Sequence, residues 1–134
     1  MELINQKVKF SANARSNPEL VIDYFPPIGE GEGYTSLELL LCSLSSCISS
    51  TVLSLLRARM RRTISALNAT ATGIVREEHP KAFTHITIEL NITSPDVEES
   101  EMKTVLAIAE EKLCPVWSMI KGNVEVAVNY QISK

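Results

Sequence analysis

The sequence predicts an α+β fold of mostly antiparallel strands around one long, buried helix. Three observations predict it. Strand-like alternation of apolar and polar residues fills 63–78, 82–94 and 124–132. The stretch from Thr35 to Arg62 contains no Pro or Gly and reads as one helix. The resulting order, ββ-α-ββ-α-α-β, keeps strands apart from helices.

The elements follow in chain order. Residues 2–13 and 19–25 are strand-like runs separated by the polar turn Ala14–Pro18. Pro26, Pro27, Gly29, Gly31 and Gly33 exclude regular structure and make this the most flexible-looking loop. Thr35 and Glu38 then form a T-x-x-E capping box that opens the long helix. Its first 20 residues are apolar or small on every face, and it closes on Arg57, Arg59, Arg61 and Arg62, which suit a helix C-terminus. About 27 residues make a helix roughly 40 Å long.

A single chain of 134 residues struggles to surround such a helix, so burial between two subunits is the expectation. The next two runs form a hairpin turning near His79-Pro80. Ser94-Pro95-Asp96 opens a helix over roughly 96–113 whose Val97, Val105, Leu106, Ile108, Ala109 and Leu113 share an apolar face. Cys114-Pro115 breaks it and starts a short helix to about Lys121. Gly122 ends that helix, and the last strand follows.

Length and composition narrow the function. The chain reads as a single domain over residues 1–134, with 45% hydrophobic and 22% charged residues. A net charge of −3 offers no general attraction to nucleic acid or an anionic membrane. The long helix meets the length of a membrane span, but its serines and Glu38 speak against insertion. The first ten residues do not resemble a secretory signal. Three cysteines at long spacings, none in a CxxC pair, point to reduced thiols in the cytoplasm. No metal or cofactor is expected.

Two cysteines occupy suggestive places. Cys47 lies about three turns into the long helix, and Cys114 lies at a helix start, where a thiolate gains local stabilisation. Cys114 reads equally as a buried small hydrophobe, and Cys47 reads more readily as one. Cys42, on the same helix as Cys47, reads as inert packing. Trp117 reads as core, and His79 and His85 as surface residues.

The segments TSLELLLCSLSSC and AEEKLCPVWSMI, with the element order over nearly the whole chain, resemble the OsmC/Ohr family of thiol-dependent peroxidases. The resemblance implies an OsmC-like fold, an intertwined homodimer with its long helices packed centrally, and sites at the subunit interface. It implies that Cys47 attacks an organic hydroperoxide and becomes a sulfenic acid. Cys114 then condenses with it to a disulfide, which a cellular thiol reductant reopens. It also implies an arginine from the first hairpin and a glutamate at the start of the long helix.

Arg15 is the only arginine before the helix, and Glu38 the only acid near its start. Arg15 also reads as a solvated turn residue. Glu38 lies nine residues before Cys47 where the organic-hydroperoxide branch has ten, a shift of about a quarter turn or more. The alternative is an OsmC-fold protein without peroxidase activity, which binds a small apolar ligand or senses redox state at the interface.

Overall fold

The computed structural model describes all of residues 1–134, which divide into two compact units, Met1–Leu40 and Leu41–Lys134. The first unit holds a three-stranded antiparallel sheet of β1 (Glu2–Leu3), β2 (Phe10–Ala12) and β3 (Leu20–Ile22). The expected first strand is thus two short strands. Asn5 is the reason: its side-chain oxygen accepts the backbone N–H groups of Lys7 and Lys9 and turns the chain between them.

The Pro/Gly loop that follows β3 is organised rather than loose. Asp23, only 3% exposed, accepts the backbone N–H groups of Tyr24, Glu30 and Glu32. Burial pushes its carboxyl upward, but these N–H donors and Lys9 outweigh burial and hold it below the usual value. Gly29 is required here, since a Cβ would strike the Tyr24 carbonyl and the Asp23 carboxylate. Gly31 adopts φ 69°, which costs glycine nothing.

Helix α1 (Ser36–Ser54) begins at the expected capping box. The Thr35 N–H donates to Glu38 Oε1 at 2.8 Å, and the Glu38 N–H donates to Thr35 Oγ1 at 3.2 Å. Thr35→Ala removes half of the box and is expected to cost about 1 kcal/mol, readable by urea unfolding. Beyond Ser54 the helix widens into a π turn, Leu55–Arg59, and stops where Arg61 takes φ 55°.

Burial along α1 within one chain is partial, as expected of a chain too small to surround the helix. Within one chain only Leu44, Ile48 and Val52 are buried, one turn apart on a single face, followed by Leu55 and Leu56 in the π turn. Cys42, Ser43, Ser46, Ser50 and Ser54 are exposed in the single chain. One chain supplies cover for one stripe of the helix and no more. Within Ser36–Arg59 an 18-residue stretch has a mean hydropathy of 1.9, and 28% of that stretch is buried. Length and composition alone would let this segment cross a membrane, a test that core helices of soluble proteins also pass.

The second unit's sheet has the order β4-β5-β6. β4 (Ala66–Val75) and β5 (Phe83–Thr93) form the expected antiparallel hairpin. Alternation along β5 puts Ile86, Ile88, Leu90 and Ile92 into the core, none more than 1% exposed. β6 (Glu125–Ser133) pairs with β5 in parallel, the one exception among mostly antiparallel strands. Residues 94–124 supply the crossover that a parallel neighbour needs.

That crossover carries α2 (Glu99–Ile108), a π turn (Ala109–Leu113) and α3 (Pro115–Ile120). α2 starts three residues later than predicted, because the Ser94 hydroxyl accepts the N–H groups of Asp96 and Val97 and holds a turn there. Glu98 caps the helix instead, its N–H donating to Glu101 Oε2. Met102, Val105 and Ala109 form its buried stripe, while Leu113 is 51% exposed.

Candidate functional site

Cys47 and Cys114, 67 positions apart in sequence, meet in the second unit. Cys114 Sγ donates to Cys47 Sγ at 2.9 Å, and neither forms a disulfide. Helical spacing sets Cys47 beside Leu44 and Ile48, at the border of the buried stripe of α1, and leaves it half-buried. Cys114 is placed by the chain break that precedes α3. Its N–H closes the π turn on the Ala109 carbonyl, and Pro115 at the first helical position prevents the preceding helix from continuing.

The two thiols differ in environment. Cys114 is 2% exposed and its thiol is pushed up to about 11. Burial is the main cause, and the neighbouring Cys47 adds to it through the hydrogen bond and its charge. The backbone N–H groups of Trp117 and Val116 pull the other way and lose. This overturns the expectation that its helix start favours a Cys114 thiolate. A helix of six residues provides too little to outweigh desolvation. Cys114 therefore keeps its proton and donates it in the hydrogen bond to the more accessible sulfur of Cys47.

Arg15 and Glu38 belong to the first unit. Arg15 sits exposed in the turn after β2, in the left-handed region at φ 57°. Glu38 is exposed, with Oε1 committed to the Thr35 N–H. Trp117 is 5% exposed, as expected of core. His79 and His85 are both exposed, and His85 Nε2 lies 2.9 Å from Glu125. No three His, Cys, Asp or Glu side chains converge in a way that could hold a metal.

The residues that line the space beside Cys114, Leu113 and Ser118 among them, carry no mark in the sequence. A cavity of about 170 Å³ opens at Cys114, Pro115 and Ser118, and a second of about 290 Å³ lies along α1 at Ser50, Thr51, Ser54 and Arg59. Leu113 lines both. Its position continues the apolar face of α2, so nothing in the pattern marks it as exposed; the π turn swings it outward.

The chain is similar in sequence and in fold to known proteins. Protein YhfA of Escherichia coli strain K12 is 26% identical over 96 residues, which are 72% of this chain and 71% of the relative. The crystal structure of an OsmC like protein from Mycoplasma pneumoniae superposes with a TM-score of 0.82 at 22% identity, covering 98% of this chain and 94% of that one. An organic hydroperoxide resistance protein OsmC from Legionella pneumophila gives a TM-score of 0.65 at 17% identity, covering 99% and 100%. Residues 29–129 match the family described as OsmC-like protein. With most of its length matched and the fold shared, the chain belongs to the OsmC-like protein family.

Proposed function

We propose that the protein is a thiol-dependent peroxidase that reduces organic hydroperoxides, with Cys47 as attacking thiol and Cys114 as resolving thiol. Family membership suggests a redox or peroxide-stress role. The observation that carries the finer reading is the unequal pair: sulfurs 2.9 Å apart, the inner one protonated and the outer one accessible. Cys47 thiolate attacks one peroxide oxygen, the O–O bond breaks, and the alkoxide leaves and takes a proton as the alcohol. Cys47 is then a sulfenic acid. Cys114 sulfur displaces its hydroxyl, water leaves, and a disulfide joins the two. Two equivalents of a cellular thiol return the pair to the reduced state.

The same reading assigns the uncovered side of α1 to a second copy of the chain. Leu37 is 37% exposed and Cys42, Ser43 and Ser46 follow it along the helix, a surface of small and apolar residues suited to close helix packing. Arg15 is the cation proposed for the assembled site. Glu38 joins it through Oε2, the oxygen that the capping box does not use. Free thiols in such proximity suit a reducing compartment, the cytoplasm. Light scattering at micromolar protein is expected to give twice the 14.8 kDa chain mass, and a monomer would refute the dimer.

The peroxidase reading is tested by mixing reduced protein with cumene hydroperoxide in a stopped-flow instrument. Thiol loss is expected to outpace free cysteine by on the order of 10²–10⁴-fold, the range of positioned acid–base assistance. A protein thiol no faster than free cysteine sinks the peroxidase and leaves the redox-sensing or ligand-binding alternative.

A further inference from the structure

We propose that Cys47 and Cys114 together capture a trivalent arsenical that carries one organic group and two hydroxyls. The pair offers two thiols whose sulfurs lie 2.9 Å apart without being bonded, so both can attach to one atom. No third His, Cys, Asp or Glu side chain converges on them. Cys42 shares α1 with Cys47, but the five residues between them carry it about 7.5 Å along the helix and about 140° around it, onto an exposed face. The captured atom must therefore be satisfied by two protein sulfurs.

Geometry selects among the thiol-seeking atoms. At bond lengths to sulfur of about 2.3 Å, a linear centre such as Cu(I) or Hg(II) holds its two sulfurs about 4.6 Å apart. A pyramidal centre with bonds near a right angle holds them about 3.3 Å apart. The second value is far closer to the 2.9 Å that the pair already keeps. Tetrahedral zinc needs further protein ligands, which are absent around the two thiols. Trivalent arsenic is pyramidal and takes three bonds, so its third substituent must come with the ligand. The cavity of about 170 Å³ at Cys114, Pro115 and Ser118 has room for a small one.

The exchange balances without an oxidant. Each thiol replaces one hydroxyl: two As–S bonds form, two As–O bonds break, and each thiol proton leaves with a hydroxyl as water. Arsenic stays trivalent, and Cys114 reacts from the protonated state in which burial keeps it. The first bond forms at the more accessible Cys47. The second is then intramolecular and raises affinity by on the order of 10²–10⁴-fold over a single thiol.

Reduced protein is titrated with methylarsonous acid and with dimethylarsinous acid, which has one hydroxyl and bonds one thiol only. Native mass spectrometry follows binding, and peptide mapping locates the adduct. One methylarsenic group per chain is expected, bridging Cys47 and Cys114 and held at least about 100-fold tighter than the dimethyl compound. Cys47→Ser and Cys114→Ser are each expected to lose that advantage, whereas Cys42→Ser keeps it. The comparison of the two arsenicals is made on the wild type and does not depend on whether Cys114→Ser folds. Equal affinity for the two arsenicals, a methylarsenic adduct through Cys42, or wild-type binding by either of the first two variants overturns the proposal. No peroxide takes part, so a protein inert towards cumene hydroperoxide would still capture the arsenical.

Discussion

A Cys47→Ser protein is expected to lose hydroperoxide turnover by on the order of 10³-fold or more, the scale on which removal of a covalent nucleophile is felt. Serine keeps the size of the side chain at the border of the α1 stripe but cannot form an anion near neutral pH. Cys114 cannot substitute for it, because it is 2% exposed and keeps its proton up to about 11. The complementary Cys114→Ser protein is expected to react once and stop. Its first equivalent of hydroperoxide is consumed at a rate similar to wild type, and the product is Cys47 sulfenic acid rather than a disulfide. Trapping with dimedone, read by intact mass, checks both proteins. If Cys114→Ser were the inert variant and Cys47→Ser the active one, the roles would be reversed.

The second large effect concerns stability at high pH. Cys114 titrates near 11 in the folded protein against an ordinary 9.0, chiefly through burial and then through Cys47. The folded state therefore holds this proton more tightly than the unfolded state does. The contribution is fully present below pH 9 and is lost as pH rises through 11. It amounts to roughly 2–3 kcal/mol. Urea unfolding of reduced wild type and Cys114→Ala at pH 8 and pH 11 checks it. The wild type is expected to lose about that much more stability than the variant, and parallel losses would contradict the assignment.

How much of this could be read in the sequence depended on the kind of interaction involved. Local signals were legible. The Thr35–Glu38 box, the Pro115 break after Cys114 and the alternation of Phe83–Thr93 each depend on neighbours within a few residues. Pairing direction was not legible, because apolar alternation along Glu125–Ser133 is the same for a parallel and an antiparallel partner. The Glu2–Asn13 run reads as one strand unless the Asn5 side chain is seen to bond the backbone of Lys7 and Lys9.

The site divides in the same way. Cys47 and Cys114 were found through their segments, but their 2.9 Å approach is a tertiary fact. The direction of the Cys114 shift was misjudged because helix position is local while desolvation is not. Asp23 drew no notice in a loop that looked loose, since its three backbone donors come from as far as Glu32. The composition of α1 implied cover on every side, and one chain covers only the Leu44–Ile48–Val52 stripe.

The central claim is that Cys47 and Cys114 act as one redox pair. Reduced protein treated with one equivalent of cumene hydroperoxide, then alkylated, digested and mapped by mass spectrometry, tests it most directly. The account predicts a single linkage, Cys47 to Cys114, with Cys42 recovered alkylated. Recovery of Cys47 and Cys114 as free thiols, or a linkage through Cys42, would contradict it.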